Sequence, residues 1–467
     1  MSTNPFLSVD RQIVGDVYTS NELMHNLSVL CDEFGSRFGG TPSERQAAEF
    51  MQARLASYGL HNVHLEPIEY VGWRRGVAQC EILSPVHKAL PCITLPHSPP
   101  AVLEGALVDM GDGAPDDFEA RAAEIAGNIV LVTSKTNPKG GRRWIHRLEK
   151  YGRALLAGAT GFIFVNHYPG LGPVTGGIGP DHGGAAAVPG ISLSYEDGAF
   201  LQRLIRRHGE ARVRISSSDV VEPMVSWNVI ADLPGKDRPE EVIMLGCHYD
   251  GHDISQGAAD PASGTVAVLE AARVLAAYAP NLPRTVRFAL WGVEEIGLIG
   301  STQHVARHAD ALPNLRFYLN MDMAGAIAQK DIVLNEWPAL APLFEQWSQE
   351  MALPFRVAQS VNAHSDHYPF LLAGVPTGAI GSAEPDISGR GYGHTQHDTL
   401  DKTELRGMRE AAVLAARLAL RLASANPWPA QQRSPAEVQT LFDNPAYRAE
   451  AALQARVRAF YQAPPAG

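Results

Sequence analysis

Four short apolar runs in the second half of the chain alternate with four segments of helical periodicity. No other feature constrains the fold as strongly. In chain order, runs and helical segments follow one another at residues 242–247, 263–278, 286–291, 296–307, 316–321, 339–351, 375–380 and 405–424. Strands that alternate with helices in this way build a mainly parallel sheet with helices on both faces. The sequence therefore predicts an α/β fold.

A stretch of different texture interrupts this pattern. Between residues 79 and 221, short β-rich runs separated by Gly, Pro and Asp turns dominate, with one helix expected near residues 144–157. The simplest organisation is an α/β domain made from residues 1–78 and 222–426, with 79–221 as a β-rich insert. Residues 427–467 form a Pro-rich linker and a helical tail. The tail either docks on the body or pairs with another copy of the chain, giving a homo-oligomer through the tail or the insert.

Charge and composition exclude several classes of partner. The 467 residues include 50 acidic and 39 basic side chains, for a formal net charge of −11, so we expect no nucleic acid partner. No apolar stretch approaches the ~18 residues that cross a membrane. The N-terminus lacks a basic start followed by an apolar core, which favours a cytoplasmic protein, or a secreted one if a leader had been removed. The basic segment with Lys135, Lys139, Arg142, Arg143 and Arg147 is expected to be a solvated face.

Acidic and histidine residues follow the apolar runs directly. His248 and Asp250 come after the first run, Glu294 and Glu295 after the second, and Asp322 after the third. In open α/β sheets, ligands bind at the carboxyl ends of the strands, so these groups should meet at one edge. Two further clusters join them: Asp260 at the entry to a helix, and His394 with Asp398 in a Gly-rich loop.

Taken singly, each of these residues has an ordinary structural interpretation, such as a helix cap for Asp260 or a loop residue for His394. Together they put two histidines and at least three carboxylates at one edge. Such a set of anions is costly to bury without a cation. Mixed nitrogen and oxygen ligands suit zinc, and one or two divalent ions fit the pattern.

The ordered motifs resemble those of the M28 family of di-zinc peptidases. They are His248-x-Asp250, Asp260-x-Ala262-Ser263-Gly264, Glu294-Glu295, Asn320-x-Asp322 and His394-Thr395. The segment GSRFGGTPSERQAAEFMQARLASYGL (35–60) resembles the N-terminal helical region of that family. Residues from about 80 to 220 look like a protease-associated (PA) domain.

The resemblance implies a role for each position. His248 and Asp322 would bind one zinc, Glu295 and His394 a second, and Asp260 would bridge the two. Glu294 would be the general base that takes a proton from the attacking water. Asp250 would accept a hydrogen bond from the ring of His248 and so fix its tautomer.

Two departures from the family pattern lead to further expectations. A proline, Pro261, follows the bridging Asp260, and we predict a cis peptide bond there. Asn362 stands three residues before Ser365-Asp366-His367, where some members carry an oxyanion-binding tyrosine. His367, Tyr368 and Tyr392 are alternative donors.

The resemblance leaves the substrate open. An aminopeptidase is preferred, because the Asn320–Met323 and Ser365–His367 stretches look aminopeptidase-like. A carboxypeptidase or dipeptidase of the carboxypeptidase Q type is the alternative, with Arg390 as a partner for a terminal carboxylate. A non-catalytic binding protein of the same fold is the rival from another class. The complete set of metal ligands speaks against it.

Overall fold

Two eight-stranded sheets organise the chain in a computed structural model, which describes residues 4–141, 143–180, 183–385, 387 and 389–463. The helices are α1 (Leu7–Thr19), α2 (Glu22–Ser28), α3 (Pro42–Ser57), α4 (Pro115–Ala120), α5 (Ala122–Ile125), α6 (Arg147–Leu156), α7 (Tyr195–His208), α8 (Ser263–Tyr278), α9 (Ile299–Arg307), α10 (Ala341–Glu350), α11 (His367–Leu372), α12 (Leu405–Ser424), α13 (Pro435–Leu441) and α14 (Pro445–Gln462). The strands are β1 (His61–Arg74), β2 (Ala78–Ser84), β3 (Lys88–Leu90), β4 (Ile93–Thr94), β5 (Ala101–Asp109), β6 (Ile129–Thr133), β7 (Gly161–Val165), β8 (Gly190–Leu193), β9 (Arg212–Ser217), β10 (Val220–Leu233), β11 (Arg238–His248), β12 (Arg284–Trp291), β13 (Leu315–Asn320), β14 (Asp331–Leu334), β15 (Val357–Gln359) and β16 (Thr377–Gly381).

The first sheet belongs to the α/β domain and has the order β1-β10-β12-β11-β13-β16-β14-β15. Its centre, β12-β11-β13-β16, is parallel, whereas β1 and β10 on one side and β14 next to β16 on the other run antiparallel to their neighbours. The predicted, mainly parallel α/β sheet is confirmed, and the antiparallel strands lie towards its edges.

Alternation along the central strands builds a core on each face. In β11, Ile243 and Leu245 pack with α8 and α12 on one face, while Met244 packs with Trp291 and Phe370 on the other. Successive side chains of a strand point to opposite faces, so a continuous apolar run is what a strand covered on both sides requires.

The second sheet belongs to the insert and has the order β3-β2-β9-β5-β6-β7-β8-β4. All of its strands fall between Ala78 and Ser217. The four strands β5 to β8 are parallel, so the insert is an α/β unit as well as a β-rich one. The helix expected near residues 144–157 is α6. The sequence interpretation missed the two short helices α4 and α5 and the longer helix α7. Ser194 caps this helix by accepting a hydrogen bond from the Asp197 amide, and Gly209 ends it in the left-handed conformation.

The tail folds back onto the body of the same chain. Its last helix, α14, packs against α6 of the insert, and Leu453 is buried there. Of the two alternatives left open by the sequence, the structure contains the intramolecular docking. Among the described residues, no helix combines the length and the apolar character needed to span a bilayer.

Candidate metal centre

Three neighbouring strands deliver acidic and histidine side chains to one edge of the first sheet. His248 is the last residue of β11, Asp322 lies two residues beyond β13, and Glu294 and Glu295 follow β12. Because these strands are adjacent and parallel, their carboxyl ends lie at the same edge. Residues 74 positions apart in sequence are therefore brought together, as the strand-end pattern predicts.

Two loops complete the cluster. Asp260 lies in an irregular turn (Ala258–Ala262) that leads into α8, and its backbone is extended (φ −119°, ψ 101°) rather than helical. The Asp260–Pro261 peptide bond is cis, as predicted. His394 comes from the loop that follows β16, with φ at +61°.

The two carboxylate oxygens of Asp260 face different partners. Oδ1 lies 3.2 Å from Nε2 of His248, and that nitrogen lies 3.4 Å from Oδ1 of Asp322. Oδ2 lies 3.3 Å from Nε2 of His394, which is 3.4 Å from Oε2 of Glu295. The five residues thus form two nitrogen-and-oxygen sets that share one carboxylate.

The donor set fits a metal ion. His248, Asp260, Glu295 and His394 are each at most 8% exposed. The Oδ1 atom of Asp322 is buried and accepts no hydrogen bond from the described residues. Donor atoms of His248, Glu294 and Asp322 lie within 4.8 Å of one another, and so do those of His252, Glu295 and His394. Buried carboxylates with imidazole nitrogens at such spacing require a cation, and zinc accepts both donor types.

Burial also controls the protonation of these groups. It raises the pKa of Glu295 to about 8 and raises the pKa of Glu294 well above its usual value. Burial lowers the pKa of His394 to about 4, so its imidazole stays neutral and keeps a lone pair. Burial alone would raise the pKa of Asp260, but hydrogen bonds with His248 and His394 hold it well below its usual value.

Asp250 supports the site in a different way from the one expected. Nδ1 of His248 donates to the main-chain carbonyl of Asp250 at 3.0 Å, while the carboxylate lies 3.6 Å away. The Asp250 carboxylate instead accepts from the backbone amides of Glu294 (2.9 Å) and Glu295 (3.3 Å). Residue 250 therefore orients the ring through its backbone and holds the two glutamates through its side chain.

Two further residues support the site. The sequence interpretation placed Asp398 in the His394 cluster without a role, and it missed His252. Asp398, 1% exposed, accepts from the backbone amides of Ala259 (2.8 Å) and Asp260 (3.1 Å). His252 places Nε2 2.9 Å from Oε2 of Glu295. A signal existed for His252, since it lies four residues beyond His248. Asp398 could be placed only with the path of its loop known.

A cleft of about 500 Å³ opens above the cluster. Its walls come from three parts of the chain: the α/β domain, the insert with His146 and Arg147, and the tail helix with Gln454 and Arg458. The expectation of a solvated face is wrong for Arg147, which is 8% exposed and donates to the carbonyl of Gly177 at 2.9 Å. Arg142 of the same segment lies outside the described residues.

The candidate carboxylate and oxyanion partners differ in position. Arg390 lines the cleft and lies 2.8 Å from Nε2 of His394. Tyr368 also lines the cleft. Tyr392 donates to the carbonyl of Lys402, and Asn362 accepts from the amide of His364. The remaining candidate, His367, is 2% exposed and contacts Asn320. Of the four alternatives, Tyr368 is thus the one whose side chain borders the cleft.

Two family models match the chain. The model "Peptidase family M28" covers residues 228–419, and the model "PA domain" covers 102–201. The chain is 28% identical to carboxypeptidase Q of Bos taurus over 65% of its own length and 65% of the relative's, just under two thirds. It is 29% identical to leucine aminopeptidase 2 of Trichophyton equinum over 78% of its own length and 72% of the relative's.

Solved structures share the fold. The "Peptidase M28 precursor" from Shewanella amazonensis superimposes with a TM-score of 0.77 at 23% identity, covering 91% of this chain and 98% of that one. BSAP, a zinc aminopeptidase from Bacillus subtilis, gives a TM-score of 0.67 at 22% identity, covering 87% and 95%. Both neighbours span the α/β domain and the insert together, since either part alone is shorter than the matched length.

Proposed function

We propose that this chain is a metallo-exopeptidase of the M28 family with an inserted PA domain, and that it is an aminopeptidase that works with two zinc ions. The observation that carries the count of two is the Asp260 carboxylate, whose two oxygens face separate histidine-and-carboxylate sets at 3.2 and 3.3 Å. His248 and Asp322 would hold one ion, Glu295 and His394 the other.

Zinc, when bound, supplies a Lewis acid that activates water and polarises the scissile carbonyl. The chain supplies the proton transfers. Glu294 lies beside the two sets without belonging to the pairs that face Asp260, and burial raises its pKa, which makes its carboxylate a better proton acceptor. It would take the proton of the attacking water and return it to the leaving amine. Asp250 would keep Glu294 in place through its backbone amide.

The aminopeptidase assignment is supported by a relative, leucine aminopeptidase 2 of Trichophyton equinum, which is 29% identical over 78% of this chain. Asp260, Glu294, Glu295 and Asp322 line the cleft. Bound zinc would neutralise most of their charge, so these carboxylates do not by themselves select the substrate. Arg147 and Arg390 line the cleft too and would favour a carboxylate. They are the observation behind the second candidate, a carboxypeptidase or dipeptidase like carboxypeptidase Q.

Substrate assays separate the two candidates. We expect hydrolysis of leucine p-nitroanilide and no hydrolysis of N-blocked dipeptides. Cleavage of the blocked dipeptides alone would overturn the aminopeptidase assignment in favour of the second candidate. A folded protein that binds zinc but cleaves neither kind of substrate would point to the non-catalytic binding protein.

The role of Glu294 is tested by Glu294→Gln. We expect kcat to fall roughly 10²–10⁴-fold, the range for loss of a general base, while the zinc content stays at that of the unmodified enzyme. Glu295→Gln is the matched variant, since it changes the adjacent carboxylate in the same way and should lose zinc. If Glu294→Gln lost zinc as well, Glu294 would be a ligand instead of a base.

The cytoplasmic location and an association between copies of the chain stay predictions.

A further inference from the structure

The last helix of the chain, α14, borders the cleft although it lies beyond the region that matches the M28 family model. That match ends at residue 419, and α14 begins at Pro445. Gln454 and Arg458 of α14 line the same cleft as the acidic groups. The tail is therefore part of the cavity that holds the proposed substrate.

Polar contacts attach α14 to the α/β domain. Nε2 of His364 donates a hydrogen bond to the carboxylate of Glu450 at 2.8 Å. The hydroxyl of Tyr447 donates to the carboxylate of Glu336 at 2.7 Å and accepts from the amide of Val361 at 3.1 Å. These contacts hold the first half of the helix.

Apolar contacts attach the second half of α14 to the insert. Leu453 is 5% exposed. Val457 packs closely against α6, since a Cβ added to Gly152 would lie 2.8 Å from a methyl group of Val457. The hydroxyl of Tyr461 accepts from the amide of Ala187 at 3.2 Å. One helix thus spans from the α/β domain to the insert along the side of the cleft.

A smaller cavity of about 150 Å³ lies between α14 and α6. Leu148, His364, Gln454 and Arg458 border both this cavity and the main cleft, so the two spaces adjoin. Without α14, both would open to solvent along that side. A longer peptide could then leave the cleft by a path that the helix now blocks.

We infer that α14 is a specificity element that closes one side of the cleft and restricts the enzyme to short peptides. This inference rests on the proposed peptidase function. The cleft volume of about 500 Å³ is that of a site for a small ligand, which for a peptide means a few residues. A chain that extends further would have to displace α14 and break its contacts with both parts of the molecule.

The test compares a tripeptide with a ten-residue peptide that begins with the same three residues. For the full-length enzyme, we expect kcat/KM to be at least about tenfold higher for the tripeptide, a difference of ~1.4 kcal/mol. In a chain that ends after Asn444, we expect the ratio to fall to about one. An equal rate for both peptides in the full-length enzyme, or an unchanged ratio in the shortened one, would overturn the inference.

A point variant covers the case in which the shortened chain does not fold. Leu453→Asp places a charge at the buried contact with α6 and should displace the helix, seen as faster tryptic cleavage within 445–462 and a reduced tripeptide preference. Ala455→Asp adds the same charge at an exposed position of the same helix, and it should leave both the rate of tryptic cleavage and the tripeptide preference unchanged. A displaced helix with the original preference would contradict the role assigned to α14.

Hydrolysis of leucine p-nitroanilide by the full-length enzyme tests the proposed function separately. If no substrate were cleaved, the length preference would be measured from calorimetric binding of the same two peptides to the full-length and shortened chains. Tighter binding of the tripeptide that disappears on shortening supports the inference. Equal binding of both peptides by the full-length chain overturns it.

Discussion

Asp398 offers the sharpest test of how the loops prepare the metal site. Its carboxylate accepts the amides of Ala259 and Asp260 at 2.8 and 3.1 Å, so it holds the turn that presents the shared ligand. The substitution Asp398→Asn keeps one carbonyl oxygen but turns an NH₂ group towards the second amide. At least one hydrogen bond to a charged acceptor is lost, and one buried amide is left without a partner.

The size of the effect follows from that loss. A hydrogen bond to a charged group contributes ~1.5–3 kcal/mol, which corresponds to roughly 10- to 150-fold in an equilibrium constant. Because the lost bond holds Asp260, we expect zinc affinity to fall within that range, in line with the ~10–100-fold seen when residues that orient metal ligands are replaced.

The assay is a competitive zinc titration against a chromophoric chelator. Asp401→Asn is the matched control, since it makes the same change at an exposed residue three positions away. We expect the control to bind zinc like the unmodified chain. If Asp398→Asn bound zinc within about twofold of the control, the reasoning that the two amide contacts prepare the site would be refuted.

Two further predictions concern stability. Asp10 is buried and paired with Arg421 at 2.8 Å, so Asp10→Asn should lower the free energy of unfolding at pH 7 by ~3–5 kcal/mol, as measured by urea titration. Glu410→Gln is the control, because it removes an exposed ion pair with Arg406 and should lower the free energy of unfolding by less than ~0.5 kcal/mol. Burial would raise the pKa of Asp10, but hydrogen bonds from Arg421 and Arg417 hold that pKa below its usual value. The stabilisation by Asp10 is therefore complete above the unfolded-state pKa of ~3.9, and it is lost as the pH falls through the lower pKa of the folded state. A loss of stability in Asp10→Asn that does not change with pH would contradict this account. A Cβ at Gly264 would lie 2.1 Å from the carbonyl oxygen of the residue before Asp322, so Gly264→Ala should cost more than ~1–3 kcal/mol and displace Asp322, a proposed zinc ligand. Gly15 of α1 is the control, because a Cβ built there meets nothing within 4 Å, and Gly15→Ala should be neutral or stabilising by ~0.5–1 kcal/mol in thermal unfolding. Similar unfolding midpoints for Gly264→Ala and Gly15→Ala would show that the contact at Gly264 tolerates a Cβ.

The parts of the fold that sequence predicts are those with local causes. The central strands of the first sheet are apolar on both faces because helices cover both, and the helices α8 and α12 coincide with the predicted segments 263–278 and 405–424. The clustering of the proposed ligands at one edge followed from the same logic, since a polar residue that ends an apolar strand lies at the sheet edge. Local patterns and one rule of sheet architecture were sufficient for this part.

The remainder depended on contacts between distant segments. Arg147 belongs to a basic segment that looks solvated, but it is 8% exposed because its guanidinium packs against residues about 30 positions further along the chain and donates to the carbonyl of Gly177. Asp398 supports a turn that lies 138 positions earlier in the chain, and the sequence does not show that the two segments meet. The docking of α14 needed partners on two different parts of the molecule, which periodicity within the helix cannot reveal.

The missed helix α7 is a different case, because its signals were present. Ser194 with Asp197 three residues later is a capping pattern, and Gly209 follows the last turn. Short β-rich runs dominate residues 79–221, and only one helix was expected there, near residues 144–157. The helical signals between two of those runs were therefore passed over.

The insert leaves and re-enters the α/β domain through two paired strands. Arg74 of β1 lies opposite Val220 of β10, and Ala78 lies opposite Ser217 just beyond them. The chain therefore enters and leaves the insert at neighbouring positions. A tight turn between β1 and β10 could replace the whole insert without changing the position of any other strand. Evolution can therefore gain, lose or exchange this unit in one step, whereas the terminal helix, which touches both sides, would have to coevolve with whichever unit is present.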